Sequence, residues 1–157
     1  MGIHLTTAKV TFKSIVQNNQ KLLQSEYIKS LSNEGEHFCF KVSKHKIYSE
    51  KEVLFPERDY NKIFFITSGK IYMLYKRESD GFQKLIKVLE PGDFFAMRKD
   101  FKNIFFYVKE PTITFVLSEA DLGETFKLAP KIKDLLFSFF RKVAQELESL
   151  NNSITKY

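Results

Sequence analysis

Along the middle of the chain, apolar positions come in short runs closed by turn residues, the pattern of a β-rich domain. Ile63, Phe64, Phe65 and Ile66 form an unbroken apolar run, as in a strand buried on both faces. Lys70 to Tyr75 is rich in branched and aromatic residues and predicts the next strand. Between them, Thr67, Ser68 and Gly69 have the chemistry of a hairpin turn. Asp80 and Gly81 separate Tyr72 to Tyr75 from Phe82 to Leu89 and predict a second hairpin. Pro91, Gly92 and Asp93 break the chain again before Phe94 and Phe95. The last strands are read at Ile104 to Val108 and Thr112 to Leu117, divided by Lys109, Glu110 and Pro111.

The flanks follow a different period. Phe12, Ile15, Val16, Leu22, Leu23, Tyr27 and Leu31 fall near helical spacing, so Thr6 to Leu31 is predicted as helix, in one piece or two, ending at the turn residues Ser32 to Gly35. His37 to Val42 alternates in the manner of a half-buried strand and is predicted as the first one. Ser118 is a good N-cap for a helix over Glu119 to Lys127, and Pro130 is suited to open another. From Lys131 to about Asn152 the chain has neither Gly nor Pro. There Leu136, Phe140, Val143, Leu147, Leu150 and Ile154 recur at alternating intervals of about four and three. Such a stripe predicts a two-stranded coil between two copies, with Phe137 and Phe139 off the seam and covering the β-rich part.

The order of turns and strands from Lys46 to Phe95 carries a resemblance. Phe55, Pro56 and Glu57, the run from Ile63 through Ser68, Gly69, Lys70 and Ile71, the Asp80–Gly81 hairpin and Pro91 to Phe95 together resemble the cyclic-nucleotide-binding β-roll. In bacteria that module is the sensor of Crp/Fnr-type transcription regulators. The resemblance covers about residues 40–122, with the C-terminal helix matching by position. It implies a mainly β fold, a double-stranded β-helix or jelly roll with N-terminal helices and a long dimerisation helix. The expected divisions are residues 1–36 for the helical segment, 37–118 for the roll and 119–157 for the last helices. Full-length regulators of this type continue into a winged helix-turn-helix DNA reader, and residues 1–157 supply no recognition helix. Asn151 to Ser153 resembles the beginning of a linker, in keeping with the sensor half of a longer protein; the other reading is a protein without the reader.

At the family's ligand site this chain departs from the pattern. Cyclic-nucleotide binders follow Gly-Asp-Phe-Phe with Gly-Glu, a short helix, and an Arg before Ser or Thr. The helix N–H groups and the Arg hold the cyclic phosphate, and the Glu takes the ribose hydroxyl. Here Ala96 and Met97 follow Gly92 to Phe95, Lys102 and Asn103 fall near the Arg position, and the segment is about five residues too short for the helix. Met97 cannot accept a hydroxyl proton, and a Lys offers a point charge in place of a bidentate fork. The implied pocket is therefore degenerate for cyclic AMP and cyclic GMP. Arg98, Lys99 and Lys102, with Asn103 and Met97, remain candidates for a different small anion, against the plainer reading of a solvated loop.

Composition narrows the rest. The chain has 17 Phe and no Trp, and a packed roll gives those rings a place. The formal charge is +6, but the lysines are spread along the chain, as on a solvated surface. Cys39 is the only cysteine, which excludes an internal disulfide and a four-cysteine cluster. His37 and Cys39 would share one strand face and invite a metal or haem reading, but two ligands fall short of a stable site, and His4 and His45 have no helpful spacing. No cofactor and no metal are expected. A metal-dependent cupin enzyme lacks its His-x-His set here, and Ser68, Ser79 and Ser118, read in turns, have no paired histidine, so no catalysis is predicted. No apolar run spans a membrane and no signal-peptide core opens the chain, which points to the cytoplasm. The leading expectation is an effector-sensing and dimerisation domain that reaches DNA only through another domain. The alternative is a stand-alone, non-enzymatic roll that binds a small anion or a protein.

Overall fold

The structure is a computed structural model and describes residues 11–152. Four short helices lead in: α1 (Phe12–Gln17), α2 (Gln20–Leu23), α3 (Glu26–Lys29) and α4 (Asn33–Val42). Strands β1 (Lys44–Tyr48) and β2 (Val53–Leu54) follow, then helix α5 (Pro56–Asp59) and strand β3 (Ile63–Lys76). Strands β4 (Gln83–Leu89), β5 (Phe94–Ala96) and β6 (Ile104–Leu117) complete the sheet, and α6 (Glu119–Leu128) and α7 (Pro130–Asn152) close the chain.

The N-terminal helix predicted as one or two pieces is three short helices over its described part; Thr6 to Val10 lies outside the described residues. The reason is local. Thr11, Asn19 and Ser25 each turn a side-chain oxygen onto a backbone N–H three residues on, so each turn starts at its own cap.

The predicted first strand is a helix. Ser32, by type a helix-ending turn residue, is an N-cap: its hydroxyl oxygen accepts the Gly35 N–H at 3.1 Å and donates to the Leu128 carbonyl at 2.6 Å. Glu34 and Glu36 in the first turn suit the positive end of α4. Gly35 lets α4 approach α6 closely, because a Cβ there would lie 2.8 Å from the Ala129 Cβ. The first strand of the sheet is therefore Lys44–Tyr48, and His37 lies on a helix.

Two predicted strand breaks also fail, for one shared reason. β3 and β6 are each continuous over 14 residues and pair antiparallel along most of their length. The register shifts between Ile66 and Ile71, so Thr67, Ser68 and Gly69 form bulges inside a strand, opposite Pro111. Pro111 has no N–H to give the ladder. Thr112 compensates: its hydroxyl accepts the Lys70 N–H at 3.1 Å and donates to the Glu110 carbonyl at 2.8 Å. Gly69 sits at φ +102°, where an added Cβ would fall 2.3 Å from the Thr112 Oγ1.

The Asp80–Gly81 hairpin is present, with Gly81 at φ +74° between paired strands β3 and β4. So is the Pro91–Asp93 turn, with Gly92 at φ +96°. All pairings are antiparallel, in the order β1-β6-β3-β4, with β2 on β6 and β5 on β3.

Two apolar layers result. Phe64, Ile66, Phe95, Phe106 and Val116 point into the roll, while Ile63, Phe65, Phe115 and Leu117 meet α1 to α4 and the base of α7. The run from Ile63 to Ile66 is thus buried on both faces, as its unbroken apolarity predicts. The outer face is covered at one end only. At the other, Leu85, Leu74 and Phe105 lie side by side across three strands, next to a rank of Val88, Tyr72, Tyr107 and Val53. Leu85 is 44% and Val88 36% exposed there, and Phe55, 43% exposed, stacks on Phe105 at 6.4 Å.

Helix α7 lies along its own roll, and the described part of its stripe is engaged with the chain's own core. Leu136 is buried in the helical layer, Val143 and Leu150 in the roll core, and Phe140 and Leu147 pack against them; Ile154 lies outside the described residues. Alternating spacings of three and four describe any one-sided helix contact, and the partner here is a sheet. The helix is also tied by Tyr75, whose hydroxyl donates to Asn151 Oδ1 at 2.8 Å, and by Lys84 with Glu146 at 3.6 Å. Phe139 packs on the roll, but Phe137 faces outward, 49% exposed, with Lys133 Nζ 5.7 Å from its ring centre.

Candidate functional site

The interior of the roll is filled by the chain's own rings. Phe64 and Phe95 stack at 4.7 Å and 5° from parallel, and Phe95 stacks on Phe106 at 4.7 Å. Phe101 packs edge-on against Phe140 of α7 at 6.0 Å. Met97, 2% exposed, adds its side chain to the same core. The 17 Phe that stand out in the composition thus serve mostly as rings packed on rings.

Between β5 and β6 the chain makes turns and no helix; the Phe101 N–H meets the Arg98 carbonyl at 3.0 Å and the Ile104 N–H the Phe101 carbonyl at 3.2 Å. The candidates in this segment do not converge. Arg98 donates from Nε to Asp100 Oδ1 at 3.0 Å and from a terminal nitrogen to Oδ2 at 2.7 Å, a bidentate pair. Its guanidinium also sits 4.9 Å from the Phe101 ring centre and 5.8 Å from that of Phe140. Lys99 turns to Tyr60, 5.5 Å away. Lys102 is exposed, and Asn103 uses its backbone carbonyl to accept the Lys76 N–H at 2.9 Å.

His37 and Cys39 do not share a face. On α4 the imidazole is exposed, whereas the Cys39 thiol is fully buried, 3.8 Å from the Tyr27 hydroxyl and 3.5 Å from that of Ser43. Burial raises the Cys39 pKa above its usual value and pushes Tyr27 well above the usual phenol range. A thiol held protonated is a poor ligand and nucleophile, so the pair does not fit a shared metal or haem. Among the described residues no three His, Cys, Asp or Glu side chains gather as a metal site, and no helix is long and apolar enough to cross a membrane. Ser68 lies in a β3 bulge, not a turn; Ser118 opens α6, its hydroxyl on Asp121 Oδ2 at 3.2 Å. His4 is outside the described residues, and His45 packs on Phe115 at 5.2 Å.

Sequence reasoning missed a cleft of about 440 Å³ between α2, α3, the turn from β4 to β5, and α7. Lys21, Lys87 and Lys142 all line it. They come from distant parts of the chain, so no local motif announces them.

No protein-family profile and no curated protein matches the sequence. Solved structures match the fold. The heme domain of CooA from Carboxydothermus hydrogenoformans is similar over 78% of this chain and 89% of that one, with 18% identity and a TM-score of 0.62. The catabolite activator protein of Thermus thermophilus matches 87% of this chain and 63% of its own, with 13% identity and a TM-score of 0.60. The N-terminal domain of a transcriptional regulator from Streptomyces coelicolor A3(2) matches 85% of this chain and 96% of its own, with 16% identity and a TM-score of 0.56. The architecture is that of the cyclic-nucleotide-binding-like β-roll, flanked by N-terminal helices and a long C-terminal helix.

Proposed function

We propose that this chain is a non-enzymatic sensing module of the kind used by transcription regulators, with an interior closed to cyclic nucleotides. The observation that carries this reading is the stack of Phe64, Phe95 and Phe106 inside the roll, with Met97 and Phe101 beside it. A cyclic nucleotide needs an interior hollow, a set of N–H donors for its phosphate and a free guanidinium. Here the rings occupy the interior, turns replace the helix, and Arg98 is already paired with Asp100. The regulatory setting is taken from the activator and the transcriptional regulator that share the fold. Any contact with DNA is assigned to a partner or another domain.

Calorimetry with cyclic AMP and cyclic GMP tests the reading. No heat of binding is expected up to millimolar ligand. A micromolar dissociation constant for either would overturn it.

A second reading, a roll that binds a protein partner, is favoured by the ranks of Leu85, Leu74 and Phe105 and of Val88, Tyr72 and Tyr107, of which Leu85 and Val88 are exposed and the others half-buried. Pairing of two copies is inferred to use the outer ridge of α7 at Phe137, because the stripe from Leu136 to Leu150 is engaged with the chain's own roll.

A further inference from the structure

We propose that the cleft between the N-terminal helices and α7 is a binding site for a small organic anion with an apolar or aromatic body. Lys21 reaches it from α2, Lys87 from β4 and Lys142 from α7. Among the described residues none of these ammonium groups has a carboxylate within ion-pair distance, although seven ion pairs form elsewhere. Two carboxylates also line the cleft. Asp93 is committed to its own turn, where Oδ2 accepts the Glu90 N–H at 2.8 Å. Glu26 lies in the first turn of α3, where it suits the local helix dipole. Three ammonium groups against these two carboxylates leave the lining with a net charge of +1.

Beneath the lysines the wall is aromatic. The half-buried rings of Phe94 and Phe139 lie 5.5 Å apart by ring centres, with the buried Tyr27 ring packed behind Phe94 at 5.7 Å. A volume of about 440 Å³ is in the usual range for small-molecule sites. A second hollow of about 310 Å³, which shares Lys87, Phe139 and Lys142, extends towards Met73, Ile86 and Val143. A carboxylate or phosphate would meet the ammonium groups while its body lay on the rings. An inorganic ion would use only half of the site. Such a ligand would touch the helical layer, the roll and α7 together, the elements that a sensor has to couple. The inference extends the sensing role proposed above, but its test reads binding directly: a negative result removes the cleft and leaves the closed interior standing.

The test uses the isotope-labelled full chain, titrated with phenyl phosphate, inorganic phosphate and benzyl alcohol and followed by heteronuclear NMR. Phenyl phosphate is expected to shift the amides of Lys21, Lys87, Phe94, Ser138 and Lys142 as one saturable set, at least tenfold more tightly than either partial probe. Lys87→Gln and Lys142→Gln are each expected to weaken binding about three- to tenfold. Lys133→Gln, on the outward side of α7, should leave it unchanged, and each variant's spectrum away from the cleft reports that it is folded. Shifts scattered over surface lysines, equal saturation by inorganic phosphate, shifts centred on Arg98, or no shifts at 10 mM probe (roughly the upper limit of weak ligand binding) would each overturn the proposal.

Discussion

Phe64 of β3 and Phe95 of β5 are register partners whose rings lie 4.7 Å apart and 5° from parallel inside the roll. Strand pairing and ring stacking thus act on the same two residues, and Phe106 extends the stack from β6. Phe95→Ala removes a ring with no exposed surface and leaves a cavity between two neighbours. The expected cost is about 3–5 kcal/mol, read from urea unfolding curves. A loss below about 1 kcal/mol would mean that the interior is not packed as described.

The two glycines of the β3 region separate backbone strain from steric conflict. Gly69 and Gly81 both have positive φ, at +102° and +74°. Alanine at either site costs about 1–2 kcal/mol for that conformation. Nothing lies within 4 Å of a Cβ added at Gly81, whereas at Gly69 it would meet Thr112 Oγ1 at 2.3 Å and the Pro111 carbonyl at 2.5 Å. Gly69→Ala is therefore expected to lose about 1–3 kcal/mol more than Gly81→Ala. Equal thermal shifts for the two variants would count against the bulge.

Three acids whose pKa values burial raises should make the chain's stability fall at alkaline pH. Burial, then Asp59, pushes Tyr48 up to about 12 from 10.0. Burial also raises Tyr27 and Cys39. Below the unfolded-state values each group is protonated in both states and its contribution is complete. As pH rises from about 9 to 12, the unfolded chain releases these protons first, so stability falls. Chemical unfolding repeated across that window, with tyrosinate absorbance followed in parallel, should show the loss beginning near the thiol's ordinary range. A flat profile up to pH 12 would contradict the burial of these groups.

On α7 the two kinds of apolar residue should behave differently. Val143→Ala removes methyl groups from the roll core and is expected to cost about 1–3 kcal/mol in the isolated chain at any concentration. Phe137→Asp changes an outward ring and should leave the monomer's stability within about 0.5 kcal/mol while weakening self-association. Sedimentation velocity over a concentration series, paired with melting curves, separates these effects. Leu147→Lys, which a pure partner-facing seam would tolerate in the monomer, is expected to lower the melting temperature as well, because Leu147 packs on the roll core.

Much of the fold was legible because its signals are local. The Asp80–Gly81 and Pro91–Asp93 turns, the doubly buried run at Ile63 and the helix start at Pro130 all depend on residues next to one another. The misreadings share a different cause. Gly69 looks like a turn until Pro111 is found opposite it, and that juxtaposition exists only across paired strands. His37 to Val42 alternates like a strand, yet the cap at Ser32 and the close approach of Gly35 to Ala129 make it a helix. The stripe on α7 was correctly periodic, and periodicity does not identify what the stripe touches. At the candidate site, the absence of the phosphate-binding helix could be counted from the short segment after Ala96. Lys21, Lys87 and Lys142 could not be found that way, since the fold alone assembles them.

The burial of Cys39 gives this chain a built-in clock. Its thiol lies wholly within the helical layer against Tyr27 and Ser43, so a disulfide reagent is expected to react only when that layer opens. The labelling rate therefore times the opening of that layer, separately from global unfolding. Because α3, which carries Tyr27, also forms one wall of the lysine-lined cleft, an anion bound there would slow the clock without touching the sulfur.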